Sequence, residues 1–282
     1  MRLSIKQFRR TLRLYQRPLQ GRLRRLMFGE HVFAAVIRTR SGVYAIDLED
    51  DAVRASARHY DAQVADEVRR VSDYLEANAN VLVVGAHIGT VAIPLAKLCR
   101  SLWAIEANPR TFELLQLNMQ LHGTRNIHTF NVAAGDHEEE IEFVLNRTNS
   151  GGSKRMPKVR SSAYFHDAPQ IVKLKTQALD ALLAGNSFSL VFMDIEGSEY
   201  LALRGMQRIL SEAKTLFVEF LPHHLRDVSG VSPEEFLAPI EPHFAQLFIP
   251  SKNLRVARPE FKRALRALYD NNEGDAGLVF TR

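Results

Sequence analysis

The chain has 282 residues, 46% of them hydrophobic and 24% charged, the proportions of an ordinary globular domain. A single cysteine, Cys99, excludes an internal disulfide framework and disfavours a thiolate zinc site; its apolar setting predicts a buried structural thiol. No run of about 18 apolar residues predicts a membrane-spanning helix, and no apolar core of a secretory signal stands at the start.

The net charge of +5 is unevenly spread. Residues 1–29 hold Arg2, Lys6, Arg9, Arg10, Arg13, Arg17, Arg22, Arg24 and Arg25 and no acid, and the first acid is Glu30. Leu3, Ile5, Phe8, Leu12, Leu14, Tyr15 and Leu19 punctuate this arm at helical spacing, with breaks expected near Pro18 and Gly21. A basic amphipathic arm packs on its own domain, meets a second subunit in a homo-oligomer, or lies on an anionic membrane; nucleic acid is the least favoured partner. An Arg-rich, acid-free start also mimics a transit peptide. The expected location is cytoplasmic, with peripheral membrane association as the variant.

Residues 30–78 follow as a unit that leads into the core. Two β-like runs, 32–37 and 43–48, flank Arg40-Ser41-Gly42 and predict a hairpin. A helix is expected over 61–77, with Val64, Val68, Val71 and Leu75 on one face.

From 79 to 282 the pattern alternates. Strands are expected at 81–84, 102–105, 127–132, 189–193, 215–220, 245–249 and 277–281, and helices at 90–99, 109–121, 198–210, 233–240 and 259–269. Such alternation predicts an α/β domain, a mainly parallel sheet with helices on both faces. Between 138 and 176 it breaks: 141–144 reads as a strand, and the Gly/Ser/Asn-rich stretch 147–160 as a long loop of the functional or mobile kind.

In such sheets ligands bind beyond the carboxyl ends of the strands, and chemistry-bearing residues fall there. The first strand runs into Gly85-Ala86-His87-Ile88-Gly89-Thr90, a turn whose glycines let backbone approach a ligand. Its spacing is not Gly-x-Gly-x-x-Gly, which disfavours a nicotinamide cofactor. Glu106 ends the second strand about 20 residues later, where an acid can accept both hydroxyls of a ribose. Asn108 before Pro109 caps the next helix. Asn131-Val132-Ala133-Ala134-Gly135-Asp136 offers small residues for a flat ring and Asn131 or Asp136 for its amine, although a simple turn reads almost as well.

The densest signal is Met193-Asp194-Ile195-Glu196-Gly197-Ser198-Glu199, three acids at the end of an apolar strand. Carboxylates crowded together repel, so they persist where a ligand or a reaction uses them. Asp194 and Glu196 point the same way if strand geometry continues. Ser198 reads in part as a helix cap. Glu219 ends another strand, and His223-His224 follow. Imidazole suits a general base, whereas a histidine pair without a third ligand is a weak metal signal, and no metal is expected.

Taken together, Val-Gly-Ala-His-Ile-Gly-Thr, Ile-Glu-Ala-Asn-Pro, Asn-Val-Ala-Ala-Gly-Asp, Met-Asp-Ile-Glu-Gly-Ser-Glu-Tyr and Val-Glu-Phe resemble the FkbM-type methyltransferases over residues 60–224. The resemblance implies a class I methyltransferase fold, a Rossmann-like, mainly parallel seven-stranded sheet, with S-adenosylmethionine as cofactor and a hydroxyl of a sugar, glycan or natural product as acceptor. It implies that Gly85, His87 and Gly89 face the methionine part, that Glu106 holds the ribose and that Asn131 and Val132 meet the adenine, with Ala86, Thr90, Ala107 and Asn108 also binding the cofactor. Asp194 and Glu196 would lie beside the reacting methyl, with Tyr60 closing over the cofactor. Asp194, Glu196 and His223 are the candidate bases. The chain departs from the family at Val83, where an acid is usual, and at His87, where Asn is usual. A fold-retaining binding protein without catalysis, or an NAD-dependent oxidoreductase, are the competing expectations.

Overall fold

The computed structural model describes residues 19–282 apart from 22, 30, 40, 51–56 and 77. Most of the basic arm, 1–18, therefore lies outside the described residues, as do the side chains of Tyr60 and Asp61.

The predicted hairpin is present: β1 (Ala35–Arg38) pairs antiparallel with β2 (Val43–Ile46). The helix α1 (Ala57–Ser72) follows, starting and ending earlier than the apolar spacing suggests. Among the described residues the main sheet holds eight strands. Its parallel centre comprises β3 (Asn80–Val84), β4 (Ser101–Glu106), β5 (Ile127–Asn131), β10 (Leu190–Met193) and β11 (Thr215–Phe220). Antiparallel strands extend one edge: β14 (Asp275–Thr281) against β11, then β12 (Gln246–Ile249), then β13 (Leu254–Ala257). The last is an eighth strand that the alternation does not announce, because three of its four residues are exposed.

The period of two sets the layers. Leu82, Val84, Val191, Met193, Leu216 and Val218 face one apolar cluster. Val81, Val83, Leu190, Phe192 and Phe217 face the other. Both sides of the central strands are therefore dry, as a parallel sheet covered by helices requires. Val83 is fully buried in this second cluster. An acid there would face apolar side chains, which accounts physically for the valine.

Three further helices differ from expectation. Pro94 has no N–H to give, and the stretch after the glycine turn is reduced to the short α2 (Ala92–Ala96). The helix expected over 198–210 is divided at Gly205 into α6 (Glu199–Arg204) and α7 (Gln207–Glu212). A Cβ at Gly205 would come 2.0 Å from the carbonyl oxygen of Gly135, so only glycine permits this packing. The helix after Ser232 ends at Leu237. By contrast α3 (Pro109–Leu121) and α10 (Phe261–Asp270) lie close to their expected places.

The break in alternation is itself a sheet. The strands β6 (Ala133–Gly135), β7 (Glu140–Leu145), β8 (Lys154–Arg155) and β9 (Gln170–Ala178) join in the order β6-β9-β7-β8. The nine-residue β9 escapes sequence reading because the exposed Lys173 and Lys175 interrupt its apolar residues. Cys99 is half-buried rather than fully buried, and burial raises its pKa to about 11, which keeps the thiol protonated.

Candidate active site

The site opens where β3, β4 and β10 end. Gly85 has φ +90, and a Cβ there would lie 1.8 Å from the carbonyl oxygen of Asp194. The glycine thus lets the first loop press against the backbone leaving β10. Gly85 and Ala86 both donate N–H to the Ile105 carbonyl at 2.9 Å. His87 holds φ +51, a left-handed conformation uncommon outside glycine, in which Asn, Asp and His are enriched. Its N–H donates to Glu106 Oε2 at 2.7 Å.

Glu106 is buried and organises this end of the sheet. Its Oε1 accepts from Asn108 N and from Thr111 Oγ1, each at 2.8 Å, while Oε2 has the one donor from His87. A carboxylate oxygen accepts two hydrogen bonds, so Oε2 keeps capacity for a ligand hydroxyl. Val84, Gly85, His87, Ile105, Glu106, Ala107, Val132, Ala133, Ala134, Asp194 and Glu196 line one cavity at these strand ends. Ile141, Phe143, Arg155 and Thr176 of the inserted sheet and Ser150 of its loop close the other wall.

Beyond β10 the strand geometry stops. Glu196 has φ +57, so Asp194 and Glu196 do not share a face by strand alternation, yet both line the cavity. Glu199 turns back, accepting N–H from Ile195 at 3.0 Å and from Gly197 at 3.2 Å. Ser198 occupies the cap position but makes no side-chain cap hydrogen bond. Asp194, Glu199 and Glu219 each bring one carboxylate oxygen within 4.8 Å of the others, close enough to hold a cation. Burial raises the pKa of all three, with Glu196 adding to the shift at Asp194 and Asp194 to that at Glu219. Burial and mutual repulsion thus favour the protonated form of these carboxyls relative to an exposed acid.

Glu196 stands on the boundary. Its Oε2 lies 2.7 Å from Lys154 Nζ and 3.3 Å from His224 Nε2. Burial lowers the His224 pKa to about 2, helped by the Lys154 charge, so this ring is neutral. Its Nδ1 faces Glu219 Oε2 at 3.3 Å. Glu196 also lines a second, more open cavity with Asn146, Asn149, Lys154, Tyr164, His166, His223 and Asp227. His223 belongs to this second cavity, and burial lowers its pKa, so it is neutral near pH 7.

The long loop is tethered rather than free. Asp167, almost fully buried, accepts from Asn146 Nδ2 and from the N–H groups of Arg147 and Thr148. Arg147 forms a bidentate pair with Glu49 at 2.9 and 3.1 Å. Ser150 donates its N–H to Asp50 Oδ2 at 3.1 Å, and its hydroxyl also bonds that oxygen. Its Oγ is 2.6 Å from His87 Nε2. With the hydroxyl proton directed to Asp50, His87 Nε2 is the donor, which fixes the tautomer.

Of the expected site residues, Gly85, His87, Glu106, Ala107, Val132, Asp194 and Glu196 come together on the first cavity. Ala86, Gly89, Thr90, Asn108 and Asn131 do not line it. Gly89 serves packing: at φ +93 a Cβ would press on Ile93 and Leu115 at 2.8 Å. Asn108 caps α3 through Arg110 N. Asn131 spends its amide on the carbonyls of Glu106 and Ala107, at 2.8 and 3.2 Å, which ties the ends of β4 and β5. Sequence reading missed Lys154, Asp167, Asp50 and the wall from β7 and β9. It also missed Glu67 on α1, whose pKa burial raises to about 7 and whose charge reaches Asp194. None of these sits in a local pattern that marks it.

The family model of the methyltransferase FkbM domain matches residues 84–249. Among solved structures, the chain is similar to a methyltransferase FkbM from Methylobacillus flagellatus, 18% identical with TM-score 0.43, over 83% of this chain and 53% of that one. It is similar to a Pyrococcus abyssi tRNA (uracil-54, C5)-methyltransferase solved with S-adenosyl-L-homocysteine, 14% identical with TM-score 0.38, over 67% and 34%. A precorrin-6y C5,15-methyltransferase from Geobacter metallireducens is 12% identical with TM-score 0.43, over 79% and 88%. The chain thus spans about half the length of the first of these and a third of the second. No curated protein matches it. By the family model, which covers more than half of its length, this chain belongs to the FkbM family of S-adenosylmethionine-dependent methyltransferases.

Proposed function

We propose that this chain methylates a hydroxyl oxygen on a polar small molecule or glycan, with Glu196 as the base. The observation that carries the reading is that Glu196 lines both cavities, one formed by the strand-end loops and one by polar side chains of the insertion.

The residues of the first cavity fit S-adenosylmethionine. Gly85 lines this cavity with backbone alone. Glu106 Oε2 retains an acceptor site for a ribose hydroxyl. Val132, Ala133, Ala134, Ile141 and Phe143 form an apolar slot for a flat heteroaromatic ring. The carboxyl oxygens of Asp194 and Glu196, which line the same cavity, can accept hydrogen bonds from an ammonium group. When bound, this cofactor supplies a methyl group already activated on a sulfonium.

The protein's part is then alignment and proton removal. Lys154 holds the Glu196 carboxylate against the boundary of the two cavities. An acceptor hydroxyl in the second cavity gives its proton to Glu196 as the oxygen takes the methyl. Lys154, His166, His223, Asn146 and Asn149 offer hydrogen bonds that a polyhydroxylated acceptor uses and an apolar one does not.

The test is calorimetry with S-adenosylmethionine, followed by screening free sugars, glycans and hydroxylated natural products for methyl transfer, with NMR of the product. Cofactor binding with an O-methyl product is expected. Absence of binding at millimolar cofactor, or a product methylated on nitrogen or carbon, overturns the reading.

A further inference from the structure

The helical segment before the hairpin is built inside out. Its residues at 19–21 and 23–28 are helical. Leu26 and Met27 are 79% and 80% exposed, the highest values among large apolar side chains of the described residues, and Leu19 and Leu23 are 61% and 49% exposed. Positions 19, 23, 26 and 27 fall on one helix face at 3.6 residues per turn. The opposite face carries Gly21, Arg24 and Arg25, and that is the face turned to the protein.

The attachment is polar throughout. Gly21 is buried, and a Cβ there would sit 3.3 Å from Glu49. Arg24 Nε donates to the Leu48 carbonyl at 2.8 Å. Arg25 donates to the Val32 carbonyl at 3.0 Å and lies 3.5 Å from Glu49 and 3.8 Å from Asp47. A surface helix of a globular protein ordinarily buries its apolar stripe and solvates its charges. Here cations fasten the helix to two acids and the stripe faces away from the domain.

We propose that this stripe, with the basic arm that precedes it, docks on an anionic lipid bilayer. Charge decides the occupant. The first 29 residues carry nine basic side chains and no acid, and seven of them are left besides Arg24 and Arg25, which face the domain. A bilayer of anionic lipid complements that arm and accepts an apolar stripe at the level of its acyl boundary. A second copy of the chain would bring two such arms together, like charge on like. The placement also relates to the site. Glu49, which Arg25 grips, is the residue that Arg147 grips from the cavity loop, and the next residue, Asp50, holds Ser150.

The experiment is co-sedimentation of the full chain with vesicles of phosphatidylglycerol mixed with phosphatidylcholine, and with vesicles of phosphatidylcholine alone, at low and high salt. Binding to the anionic vesicles is expected, weakened about tenfold or more when the anionic lipid is left out and by high salt. The triple variant Leu23→Ser, Leu26→Ser, Met27→Ser should lose about tenfold or more of that binding. Its melting temperature should match wild type, because the three side chains are exposed. Wild type that ignores anionic vesicles overturns the proposal, and so does a triple variant that binds them as well as wild type. A wild-type dimer in sedimentation velocity that the triple variant turns into monomer, without vesicle binding, assigns the stripe to a second copy instead.

Discussion

Lys154 Nζ and Glu196 Oε2 stand 2.7 Å apart, and this contact joins the inserted sheet to the turn after the central strand β10. The lysine is nearly buried and the glutamate only partly so. The insertion therefore does more than cover the cavity: it fixes the acid at the boundary between the two pockets. Glu196→Gln should keep cofactor affinity and lower kcat by about a hundredfold. Lys154→Met should lower kcat less and also cost about 1–3 kcal/mol of stability, because Glu196 is left without its cation. Calorimetry, turnover and thermal melts separate the two effects. Full turnover in Glu196→Gln would remove Glu196 from the chemistry.

Gly85→Ala tests the close approach of the first loop to Asp194. Its Cβ would lie 1.8 Å from a backbone oxygen at a φ of +90. A loss of about 3 kcal/mol or more is expected, from strain and forced backbone movement. Gly123→Ala is the control: φ is +64, with nothing within 4 Å. There about 1 kcal/mol should be lost, from conformation alone. Equal melting of the two variants would show that the loop is not pressed against Asp194.

Glu67 sets a pH dependence of stability. Burial raises its pKa from 4.5 to about 7, so the folded protein holds a proton there that the unfolded chain releases. Stability from this group is therefore fully present below pH 4.5 and declines as pH rises to about 7. Glu67→Gln cannot ionise and should gain stability relative to wild type across that window, by up to about 3 kcal/mol. His224 acts in the opposite sense. Its pKa falls to about 2, so its contribution is lost as pH drops below its ordinary value of 6.5. Melting curves of wild type and Glu67→Gln from pH 4 to 8 carry the test; parallel curves would mean that Glu67 is solvated.

Ser150→Ala removes the hydroxyl that links Asp50 to His87. The loop keeps its anchors on Asp167 and Glu49, so the fold should hold. Cofactor affinity should fall about fivefold, the size of one hydrogen bond lost from a positioning network. An unchanged dissociation constant by calorimetry would show that the loop is seated independently of the cofactor cavity.

Sequence alone determined the parts that local chemistry dictates. Short apolar runs such as 81–84 and 190–193, bounded by turn residues, read as strands dry on both faces, and their alternation with helices leaves few topologies. Gly85, Glu106 and Asp194 were legible because strand ends of a parallel sheet converge wherever the helices return the chain to the same edge. Tertiary structure decided the rest, because burial and partnership depend on segments far apart in sequence. Asn131 and Asp136 read alike as adenine contacts until the register of β4 and β5 turns Asn131 onto the carbonyls of Glu106 and Ala107. Asp194 and Glu196 are two residues apart and alike in composition. Only folding places one among buried acids that raise its pKa and the other against a lysine from position 154. The stripe at 19–27 looked like any amphipathic helix. Which of its faces meets the protein depended on Asp47 and Glu49, whose carboxylates capture the arginines and leave the leucines outside.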